Sequence, residues 1–451
     1  MNDANHFRKM PGGFDLSQAV AEAERCLLCH DAPCSAGCPA ETDPGTFIRK
    51  LRLKNITGAI RTVKANNILG GACGVLCPTA RLCEKECSAV MRSTVSPDGN
   101  DRPIQIGKIQ RFLVEHAWHT GFKVFETPKA DGPRVAVVGS GPAGLSCGAE
   151  LAKCGYRVTI FEALPEPGGV LRYGVVDYRF NRDFLTKELA DVRALGVTIQ
   201  CNSPIDSQRS AQNLLNDGFQ AVFIATGLWA ATRLPDVGDV QGLYCSVDYL
   251  KALSDERFDQ IAGAVKHKTV AVIGGGSVAM DCAQSAAKLG ARDVYLVYRR
   301  SWSQMPAEED ERLESLHAGV HYLILNQPLE VLKESGRVTG LKLERTCLGK
   351  PDDSGRRKPE SIPGSGWTLS CDMVIEAIGN TAEEDSPQWY PDVEVDDRHL
   401  IRTDPVTRAT SVPGIFAGGD IVRGPALVVN AVQDGKLAAR AIRDYLNRKE
   451  V

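Results

Sequence analysis

The sequence lacks the features that would direct a protein to nucleic acid, a membrane or the cell exterior. Its formal net charge is only −3, so the composition offers no basic excess for binding nucleic acid. It has no acidic tail either. No stretch approaches the roughly 18 consecutive apolar residues of a membrane span. The first nine residues contain no apolar core typical of a secretory signal. We therefore expect a cytoplasmic protein.

Disulfide chemistry is a further class that the sequence disfavours. The chain has 451 residues, enough for about three domains, and 15 of them are cysteines. Eight cysteines fall between Cys26 and Cys87, and the other seven are scattered singly. These seven form no C-x-x-C or C-x-x-x-x-C pair of the kind that disulfide reductases place near a flavin. In a reducing cytosol, clustered cysteines are more often metal ligands than disulfides.

The clustered cysteines form two blocks of four. The blocks are Cys26-x2-Cys29-x4-Cys34-x3-Cys38-Pro39 and Cys73-x3-Cys77-Pro78-x4-Cys83-x3-Cys87. Such close spacing lets several thiolates converge from one loop, and the x3-Cys-Pro ending is typical of ferredoxin-type clusters. Structural zinc sites also use four cysteines, often as C-x2-C pairs, of which only one is present here. The pattern therefore favours two [4Fe–4S] clusters over zinc.

Hydrophobic spacing divides the chain into a helical first part and two later βαβ units, each expected to have its own parallel sheet. The predicted elements are helices 16–24, 44–64 and 104–118, a linker at 126–133, strands 134–138 and 157–161 around helix 143–154, strands 269–273 and 293–298 around helix 277–289, an exposed loop at 349–366, and a last helix over about 425–447. The two βαβ units begin about 135 residues apart, which predicts two separate nucleotide-binding folds.

The first βαβ unit carries a complete dinucleotide-binding turn rather than an isolated glycine pattern. Gly139 permits the tight turn, Gly141 lets the backbone approach a pyrophosphate, and Gly144 allows close packing of helix on strand. The helix N-terminus offers free N–H groups and a positive dipole end to the phosphates. Glu162 ends the next strand, where a carboxylate can accept hydrogen bonds from a ribose diol.

Three further segments indicate that this first dinucleotide is FAD, because they resemble flavoprotein motifs. They are Gly168-Gly169, Ala225-Thr226-Gly227 and Gly418-Gly419-Asp420. The last of them is followed by an apolar helix. The resemblance assigns Asp420 to the ribityl–phosphate region of the flavin and the start of that helix to the isoalloxazine end.

The second βαβ unit repeats the pattern as Gly274-Gly-Gly276, with Ala279 in place of the third glycine. Its second strand ends in Arg299-Arg300, and no acid stands where NAD-preferring sites place one. Two guanidinium groups suit a 2′-phosphate, because arginine offers forked, permanently charged donors. A solvated basic pair is the plain alternative. The pattern favours NADP(H) as the second cofactor and leaves NAD(H) open.

Three stretches resemble the electron-input half of dihydropyrimidine dehydrogenase, and the likeness covers almost the whole chain. They are Cys26-Leu-Leu-Cys29-His-Asp-Ala-Pro-Cys34, Cys38-Pro-Ala-Glu-Thr-Asp-Pro44 and Ile106-Gly-Lys-Ile-Gln110-Arg-Phe112. In bacteria this half is a separate subunit, and the small subunit of glutamate synthase is a related protein with the same layout. The resemblance implies an α-helical domain with two [4Fe–4S] clusters, followed by two α/β Rossmann-like domains for FAD and NAD(P).

The second Rossmann-like domain is expected to be inserted in the first. The expected boundaries are 1–125 for the iron–sulfur domain, 133–230 and 377–451 for the two parts of the FAD-binding domain, and 231–376 for the NAD(P)-binding domain. The family pattern also assigns the metal ligands. One cluster takes Cys26, Cys29, Cys34 and Cys87, and the other takes Cys38, Cys77, Cys83 and Gln110.

This assignment leaves Cys73 as a non-ligand, contrary to a simple count of eight cysteines for two clusters. Gln110 also discriminates between relatives, since the glutamate synthase subunit tends to carry glutamate there. Arg179 matches a flavin-contacting position of the family. The resemblance implies that NAD(P)H reduces FAD and that the clusters pass single electrons to a partner subunit. That partner would hold FMN on a barrel and reduce uracil or thymine to the 5,6-dihydro base.

The chain has no room for such a barrel, so the chemistry expected here is carried by cofactors and no catalytic acid or base is predicted. The family implies a heterotetramer with two subunits of each kind. The bacterial enzyme is usually described as NAD-dependent, whereas Arg299-Arg300 favours a phosphate. The alternatives are the small subunit of NADPH-dependent glutamate synthase, a related NADPH electron donor and, from another class, a non-catalytic scaffold that needs cofactors only to fold.

Overall fold

The computed structural model describes residues 7, 9–90, 102–235, 238, 240–351 and 355–449. The segment in which no secretory signal is predicted therefore lies largely outside the described residues. The chain forms two compact units, one made mainly of residues 229–381 and the other of residues 10–172, 179–228 and 382–451. Among the described residues, no helix has both the length and the hydropathy needed to cross a lipid bilayer.

The first part of the chain is helical, as predicted. Its helices are α1 (Leu16–Glu24), α2 (Pro33–Ala36), α3 (Pro44–Arg52), α4 (Ile56–Asn66), α5 (Gly70–Leu76) and α6 (Ile106–Thr120), with a 3₁₀ turn at Thr79–Arg81. Asp15 starts α1 through a reciprocal capping box with Gln18. Apolar side chains of α1, α3, α4 and α6 form one core. The cysteine-bearing loops are held on this core.

The predicted single helix over 44–64 is wrong, because the structure has two helices there. The chain turns at Lys54, whose φ is +60°, a left-handed conformation that ends α3. Asn55 then caps α4 by accepting a hydrogen bond from the Gly58 N–H at 2.9 Å. An asparagine cap in the middle of a helical pattern was the local signal for this break.

The next segment alternates strands and helices. It contains β1 (Arg134–Val138), α7 (Pro142–Lys153), β2 (Arg157–Phe161), α8 (Val170–Tyr173), α9 (Arg182–Ala194), β3 (Thr198–Gln200), α10 (Ala211–Asn216) and β4 (Ala221–Ile224). All strand pairs in this sheet are parallel, and β1 lies between β2 and β4. The predicted first βαβ unit is confirmed to within one residue at the ends of its helix.

Residues 229–381 build a second parallel sheet. The elements are β5 (Ala230–Ala231), β6 (Leu243–Cys245), α11 (Ser246–Ser254), α12 (Phe258–Val265), β7 (Thr269–Ile273), α13 (Ser277–Lys288), β8 (Asp293–Tyr298), a 3₁₀ turn at Trp302–Gln304, α14 (Glu309–His317), β9 (His321–Ile324), β10 (Asn326–Glu334), β11 (Arg337–Pro351), β12 (Arg357–Ser361), β13 (Trp367–Ser370), β14 (Met373–Glu376) and β15 (Asn380–Thr381). The parallel sheet has the order β6-β14-β7-β8-β9. This confirms the second βαβ unit.

The segment 349–366 is not simply the exposed loop that its polarity predicts. Strand β11 continues to Pro351, and β12 pairs antiparallel with it between Arg357 and Ser361. Strands β10 and β13 also pair with β11, which makes a four-stranded antiparallel sheet. Backbone pairing allows such a polar, exposed segment to form strands although it has no apolar face.

The first parallel sheet is completed late in the chain. After a 3₁₀ turn at Ser386–Trp389 come β16 (Ile415–Ala417), α15 (Asp420–Arg423) and α16 (Val428–Lys449). Strand β16 pairs in parallel with β4, so that the sheet order is β16-β4-β1-β2-β3. The loop between β16 and α15 carries Gly418 and Gly419, which places them at the carboxyl edge of this sheet, where ligands of such folds bind.

Candidate functional site

The first glycine-rich turn has the geometry that a dinucleotide requires. Gly139 has a φ of +98°, and a Cβ there would collide with the Ala225 carbonyl oxygen. A Cβ on Gly144 would likewise collide with the Gly139 carbonyl oxygen, so glycine permits close packing of α7 on β1. Around Gly141, by contrast, a Cβ would meet no atom within 4 Å. The backbone at Gly141 is therefore open to an approaching phosphate.

Glu162 and Gly169 brace this turn. Glu162 is buried at the end of β2, and its Oε2 accepts hydrogen bonds from the Ser140 N–H at 3.0 Å and from the Ser140 hydroxyl. Ser140 Oγ in turn accepts from the Gly168 N–H at 2.9 Å. Gly169 has a φ of +54° and leaves no room for a Cβ beside Gly141. The predicted flavin-site residues of this segment thus lie together.

A buried acid fixes the C-terminal glycine loop. Asp434 on α16 is fully buried and accepts from the Gly419 N–H at 2.9 Å. Arg408 and Arg423 donate to the same carboxylate at 2.7 and 2.6 Å. Burial, together with the nearby Asp434, raises the pKa of the Asp420 carboxyl to about 6. Arg179 is half-buried in the same unit, just before α9.

The second dinucleotide turn repeats this geometry. Gly274 has a φ of +146°, and a Cβ there would collide with the Ala377 carbonyl oxygen. Ala279 is buried, and its Cβ lies 3.1 Å from the position that a Cβ on Gly274 would take, so the two residues pack closely. No atom lies within 4 Å of a Cβ on Gly276. This turn is also open to a phosphate.

The two arginines after β8 differ in their surroundings. Arg299 is exposed, whereas Arg300 is buried and its Nε donates to the Arg357 carbonyl at 2.9 Å. Arg357 belongs to the antiparallel hairpin and bonds the Leu348 and Gly349 carbonyls. The structure therefore leaves one guanidinium of the predicted pair at the surface and uses the other to attach the hairpin.

All four cysteines predicted for one cluster line a single pocket. Cys26, Cys29, Cys34 and Cys87 surround about 430 Å³ of empty volume, part of it open to solvent. The main-chain oxygens of Cys26 and Cys29 accept from Arg52 and Arg49. Leu27 and Leu28, which also line this pocket, are 37% and 40% exposed. We name Cys26, Cys29, Cys34 and Cys87 the first cysteine group.

Cys38, Cys77 and Cys83 form a second cysteine group. A hydrogen bond to Cys73, burial and the nearby Cys83 and Cys38 thiolates raise the pKa of Cys77 well above its ordinary value. Cys38 Sγ accepts from the Thr42 N–H at 3.4 Å. Cys73 is buried beside this group and its sulfur accepts from Asn67 Nδ2 at 3.3 Å. The residue that the family pattern excludes as a ligand is thus in contact with one that it includes.

Gln110 lies where helices α5 and α6 pack closely. A Cβ on Gly74 of α5 would lie 2.8 Å from the Arg111 backbone nitrogen of α6, so glycine lets the two backbones approach. Gln110 is buried, and its Nε2 donates to the Gly70 carbonyl oxygen at 2.6 Å. This bond fixes the plane and direction of the amide, as a ligand oxygen requires.

The donor chemistry of the cysteine groups fits an iron–sulfur centre. Burial and the neighbouring Cys87, Cys26 and Cys29 thiolates raise the pKa of Cys34 to about 12, so four thiolates need a compensating cation. Within the described ranges, no three His, Cys, Asp or Glu side chains are grouped as a single metal ion would need. A cluster spreads its ligands farther than tetrahedral zinc, whose sulfurs lie about 3.8 Å apart at a Zn–S distance of about 2.3 Å.

Sequence reasoning missed the residues that support these sites from elsewhere in the chain. The principal ones are Thr42, Asn67, Glu188 and Asp434. Asp434 had a usable signal, because an acid in the apolar stripe of a helix predicts a buried, partnered carboxylate. Glu188 lies in a similar position on α9 between buried leucines. Their partners are distant in sequence, so their roles were not predictable.

Two family models match the chain. Residues 133–435 match the pyridine nucleotide-disulphide oxidoreductase model, and residues 3–122 match the model of dihydropyrimidine dehydrogenase domain II with a 4Fe-4S cluster. A solved structure, FprA from Mycobacterium tuberculosis in complex with NADPH, is 20% identical, with a TM-score of 0.60 over 71% of this chain and 86% of its own. That likeness shows the fold.

Three relatives are similar over most of the chain. The beta subunit of NADP(+)-dependent formate dehydrogenase from Moorella thermoacetica is 39% identical over 92% of this chain, which spans only 60% of that relative. NAD-dependent dihydropyrimidine dehydrogenase subunit PreT from Escherichia coli is 35% identical over 99% of this chain and 98% of its own. The small chain of Escherichia coli NADPH glutamate synthase is 32% identical over 96% and 92%.

These matches confirm the resemblance on which the cofactor predictions rest. They account for a dinucleotide-binding part with parallel sheets and for an iron–sulfur part before it. FAD, NAD(P) and a 4Fe-4S centre are the cofactors of this combination. The chain belongs to the pyridine nucleotide-disulphide oxidoreductase family and is an NAD(P)H-dependent electron-transfer flavoprotein with an iron–sulfur domain.

Proposed function

We propose that this chain is the electron-input subunit of a dihydropyrimidine dehydrogenase. It would take electrons from NAD(P)H and deliver them singly to an FMN-containing partner subunit that reduces uracil or thymine. The observation that carries this proposal is Gln110, which is buried where α5 packs closely on α6 and whose amide is held by the Gly70 carbonyl. The Escherichia coli relative named for this activity matches the whole length of the chain.

The proposal assigns a cofactor to each site. FAD would lie against Gly139, Gly141, Gly144, Glu162, Gly169, Arg179, Gly419 and Asp420, and one [4Fe–4S] cluster each would be held by the first cysteine group and by the second with Gln110. When bound, FAD accepts a hydride and releases its electrons one at a time. The open backbone at Gly141 and the carboxyl of Asp420 are the chain's own contributions to binding and orienting it. The pairing of β16 with β4 supports the predicted insertion of the NAD(P)-binding domain, because β4 precedes that domain in the sequence and β16 follows it.

We further propose that electrons leave the chain at the first cysteine group. Its pocket is open to solvent and flanked by the exposed Leu27 and Leu28. Exposed apolar side chains rimmed by polar groups are typical of protein contact sites. Arg49, which bonds the Cys29 carbonyl, provides a positive rim. The partner subunit would dock there, in a heterotetramer with two copies of each subunit.

The nicotinamide preference is proposed to be for NADP(H), with the pyrophosphate against the turn at Gly274, Gly276 and Ala279 and the 2′-phosphate contacted by Arg299 and Arg300 at the strand end. The test is steady-state reduction of the flavin by NADPH and NADH in Arg299→Ala and Arg300→Ala variants. We expect Arg299→Ala to raise the KM for NADPH about tenfold or more while leaving that for NADH unchanged, since one charged hydrogen bond is worth about 1.5–3 kcal/mol. An unchanged NADPH preference in both variants would refute this assignment.

The substrate assignment is tested by co-purification. The chain is co-expressed with an FMN-containing partner of the pyrimidine family, and NAD(P)H oxidation is followed with and without uracil or thymine. We expect oxidation that depends on the pyrimidine. Bleaching of the flavin by NAD(P)H without any pyrimidine dependence would exclude this substrate, and no bleaching at all would support a non-catalytic scaffold.

The second candidate is the small subunit of an NADPH-dependent glutamate synthase or a related NADPH electron donor. Arg299 at the end of β8 favours it, because phosphate binding is what NADPH requires. The glutamate synthase small chain and the formate dehydrogenase beta subunit both carry NADP(H) in their names. Co-purification with a large amidotransferase subunit and glutamine-dependent NADPH oxidation would favour this candidate.

A further inference from the structure

A buried carboxylate of α9 is bonded to the first turn of α5. Glu188 is fully buried, and its Oε1 accepts from the Gly71 N–H at 3.1 Å. Lys64 Nζ lies 3.3 Å from the same oxygen and 2.7 Å from Asp191 Oδ2, so the charge is compensated. Burial raises the pKa of Glu188, while Lys64 acts in the opposite direction. A carboxylate is seldom buried without such specific partners.

Residue 71 is a glycine for the sake of this contact. A Cβ at Gly71 would lie 2.6 Å from Glu188 Oε1 and 2.7 Å from Phe184 Cε1. Its backbone is not in a left-handed conformation, so conformational freedom does not explain the glycine. Any other residue would push the carboxylate away from the N–H that it binds. The approach of Glu188 is therefore built into the local sequence.

The Gly71 N–H and the Gly70 carbonyl belong to one peptide group. In a trans peptide these two bonds are coplanar and point in opposite directions. Glu188 binds one end of this group and Gln110 Nε2 binds the other, at 2.6 Å. Fixing the N–H toward Glu188 thus fixes the carbonyl toward Gln110. A charged acceptor on the N–H also polarises the carbonyl, which strengthens the bond at the far end.

We propose that Glu188 is a positioning residue for Gln110: through the Gly70–Gly71 peptide group it fixes the direction of the Gln110 amide, which the proposed function makes a ligand of the second cysteine group. This inference rests on the proposed function, in which Gln110 completes a cluster. It adds that the ligand's orientation is set from α9, an element of the flavin-binding part of the chain. Second-sphere partners commonly orient metal ligands in this way.

The experiment compares Glu188→Met, which removes the acceptor, with Glu188→Gln, which retains an acceptor oxygen. Gly71→Ala displaces the carboxylate by a different route. Asp191→Asn is the matched control, because Asp191 contacts Lys64 and Trp118 but has no bond to the Gly70–Gly71 peptide. Each full-length protein, reconstituted with iron and sulfide, is titrated with dithionite and followed by electron paramagnetic resonance.

We expect Glu188→Met and Gly71→Ala to change the spectrum of one cluster and to shift its reduced-to-oxidised ratio at fixed potential about tenfold, equivalent to 59 mV for one electron. In these variants the spectrum of the other cluster should be unchanged. In Asp191→Asn and Glu188→Gln the spectra of both clusters should be close to those of the original protein. Unchanged spectra in Gly71→Ala, or equal changes in both clusters, would overturn the proposal. If Glu188→Met does not fold, Gly71→Ala decides alone.

A separate variant distinguishes failure of this inference from failure of the proposed function. Gln110→Ala removes the amide itself and must perturb the same cluster. If Gln110→Ala leaves both spectra unchanged, then the ligand assignment is wrong and the positioning role falls with it. If the Glu188 and Gly71 variants leave the cluster spectra unchanged while Gln110→Ala alters them, Gln110 remains a ligand and the positioning role alone is refuted.

Discussion

The first and second cysteine groups lie in the same helical part of the chain, yet the structures around them differ. The first group opens onto solvent between Leu27 and Leu28. The loop of the second group, whose Cys38 and Cys77 are half-buried, is contacted by side chains of α16. Lys436 on α16 donates to the Ala40 carbonyl at 2.5 Å, two residues from Cys38. Glu41, the next residue, forms ion pairs with Lys436 and Arg440.

Under the proposed function, this difference gives the two groups separate tasks. A redox centre that receives electrons from inside the protein benefits from fixed, dry surroundings, whereas one that delivers them to another protein must be near the surface. Potentials of iron–sulfur clusters depend on hydrogen bonds to sulfur and on solvent exposure. The Thr42 N–H on Cys38 and the open pocket at Cys34 represent these two influences. Four experiments test the contrast, beginning with the largest expected effect.

Removing one ligand from each group should separate their structural roles. We expect Cys34→Ser and Cys77→Ser each to lose about half of the bound iron, since serine is a poor ligand for such a cluster. Cys77→Ser should also lower FAD content, because the loop that carries Cys38 of the same group is contacted by Lys436 and Arg440 of α16. Iron, sulfide and FAD analysis of the purified proteins measures this. Equal loss of FAD in both variants would remove the contrast between the groups.

The buried ion pair between Lys64 and Glu188, at the first turn of α5, should contribute more to the stability of the protein than an exposed pair. Lys64→Met leaves Glu188 without its cation, and breaking a buried pair in this way costs about 3–5 kcal/mol. Lys54→Met is the matched control, because Lys54 pairs with Glu24 at 3.2 Å with both side chains more than half exposed. An exposed pair contributes below about 1 kcal/mol. Thermal unfolding followed at the flavin compares the two; similar midpoints would contradict this prediction.

The ligand set of the second group can be tested with Gln110→Ala and Cys73→Ser. Gln110→Ala should perturb the signal of one cluster, and Cys73→Ser should leave both clusters in place. Cys73 is hydrogen-bonded to Cys77. A small change in the reduction potential of the cluster is therefore compatible with Cys73 being a neighbour of the cluster and not a ligand. Iron content and electron paramagnetic resonance report both outcomes. Loss of a cluster in Cys73→Ser would show that Cys73 is a ligand.

The smallest effect is expected at the exposed rim of the first group. Leu27→Ser should leave iron, FAD and flavin reduction unchanged but slow electron delivery to the partner about two- to fivefold, as expected for truncation of one interface side chain. Leu16→Ser is the control, because Leu16 is 44% exposed but does not line the pocket. Stopped-flow reoxidation of the reduced protein by its partner measures the rate. An equal effect of both variants would argue against docking at Leu27.

The parts of the fold that were predictable depend on local chemistry. The turns at Gly139 and Gly274 need glycine because a Cβ there would collide with a backbone oxygen at the end of the adjacent strand. This need for glycine appears in the sequence as a short motif, which made the turns predictable. The strands beside them agree with prediction for the same reason. The break at Lys54 and the hairpin at 349–366 were missed, since hydrophobic spacing alone does not register a cap or a polar strand pair.

The candidate site was predictable to a lesser degree. Spacing gave two cysteine blocks, but only the family resemblance divided their members between two groups and added Gln110. Neither approach could find Glu188 or Asp434, because each acts on residues more than ten positions away through contacts that exist only in the folded chain. The difference between Arg299 and Arg300 likewise depends on the position of Arg357.

The late pairing of β16 has a consequence for synthesis of the chain. Strand β4 ends at residue 224, but its outer neighbour begins only at residue 415. At about 5–20 residues per second, a ribosome needs roughly 10–40 s to produce the intervening segment. During that time β4 is an unpaired edge, which is the kind of surface that chaperones and wrong partners recognise. Residues 229–381, which are contiguous, can meanwhile complete their own sheet, so the first parallel sheet is the last part of the nascent protein to close.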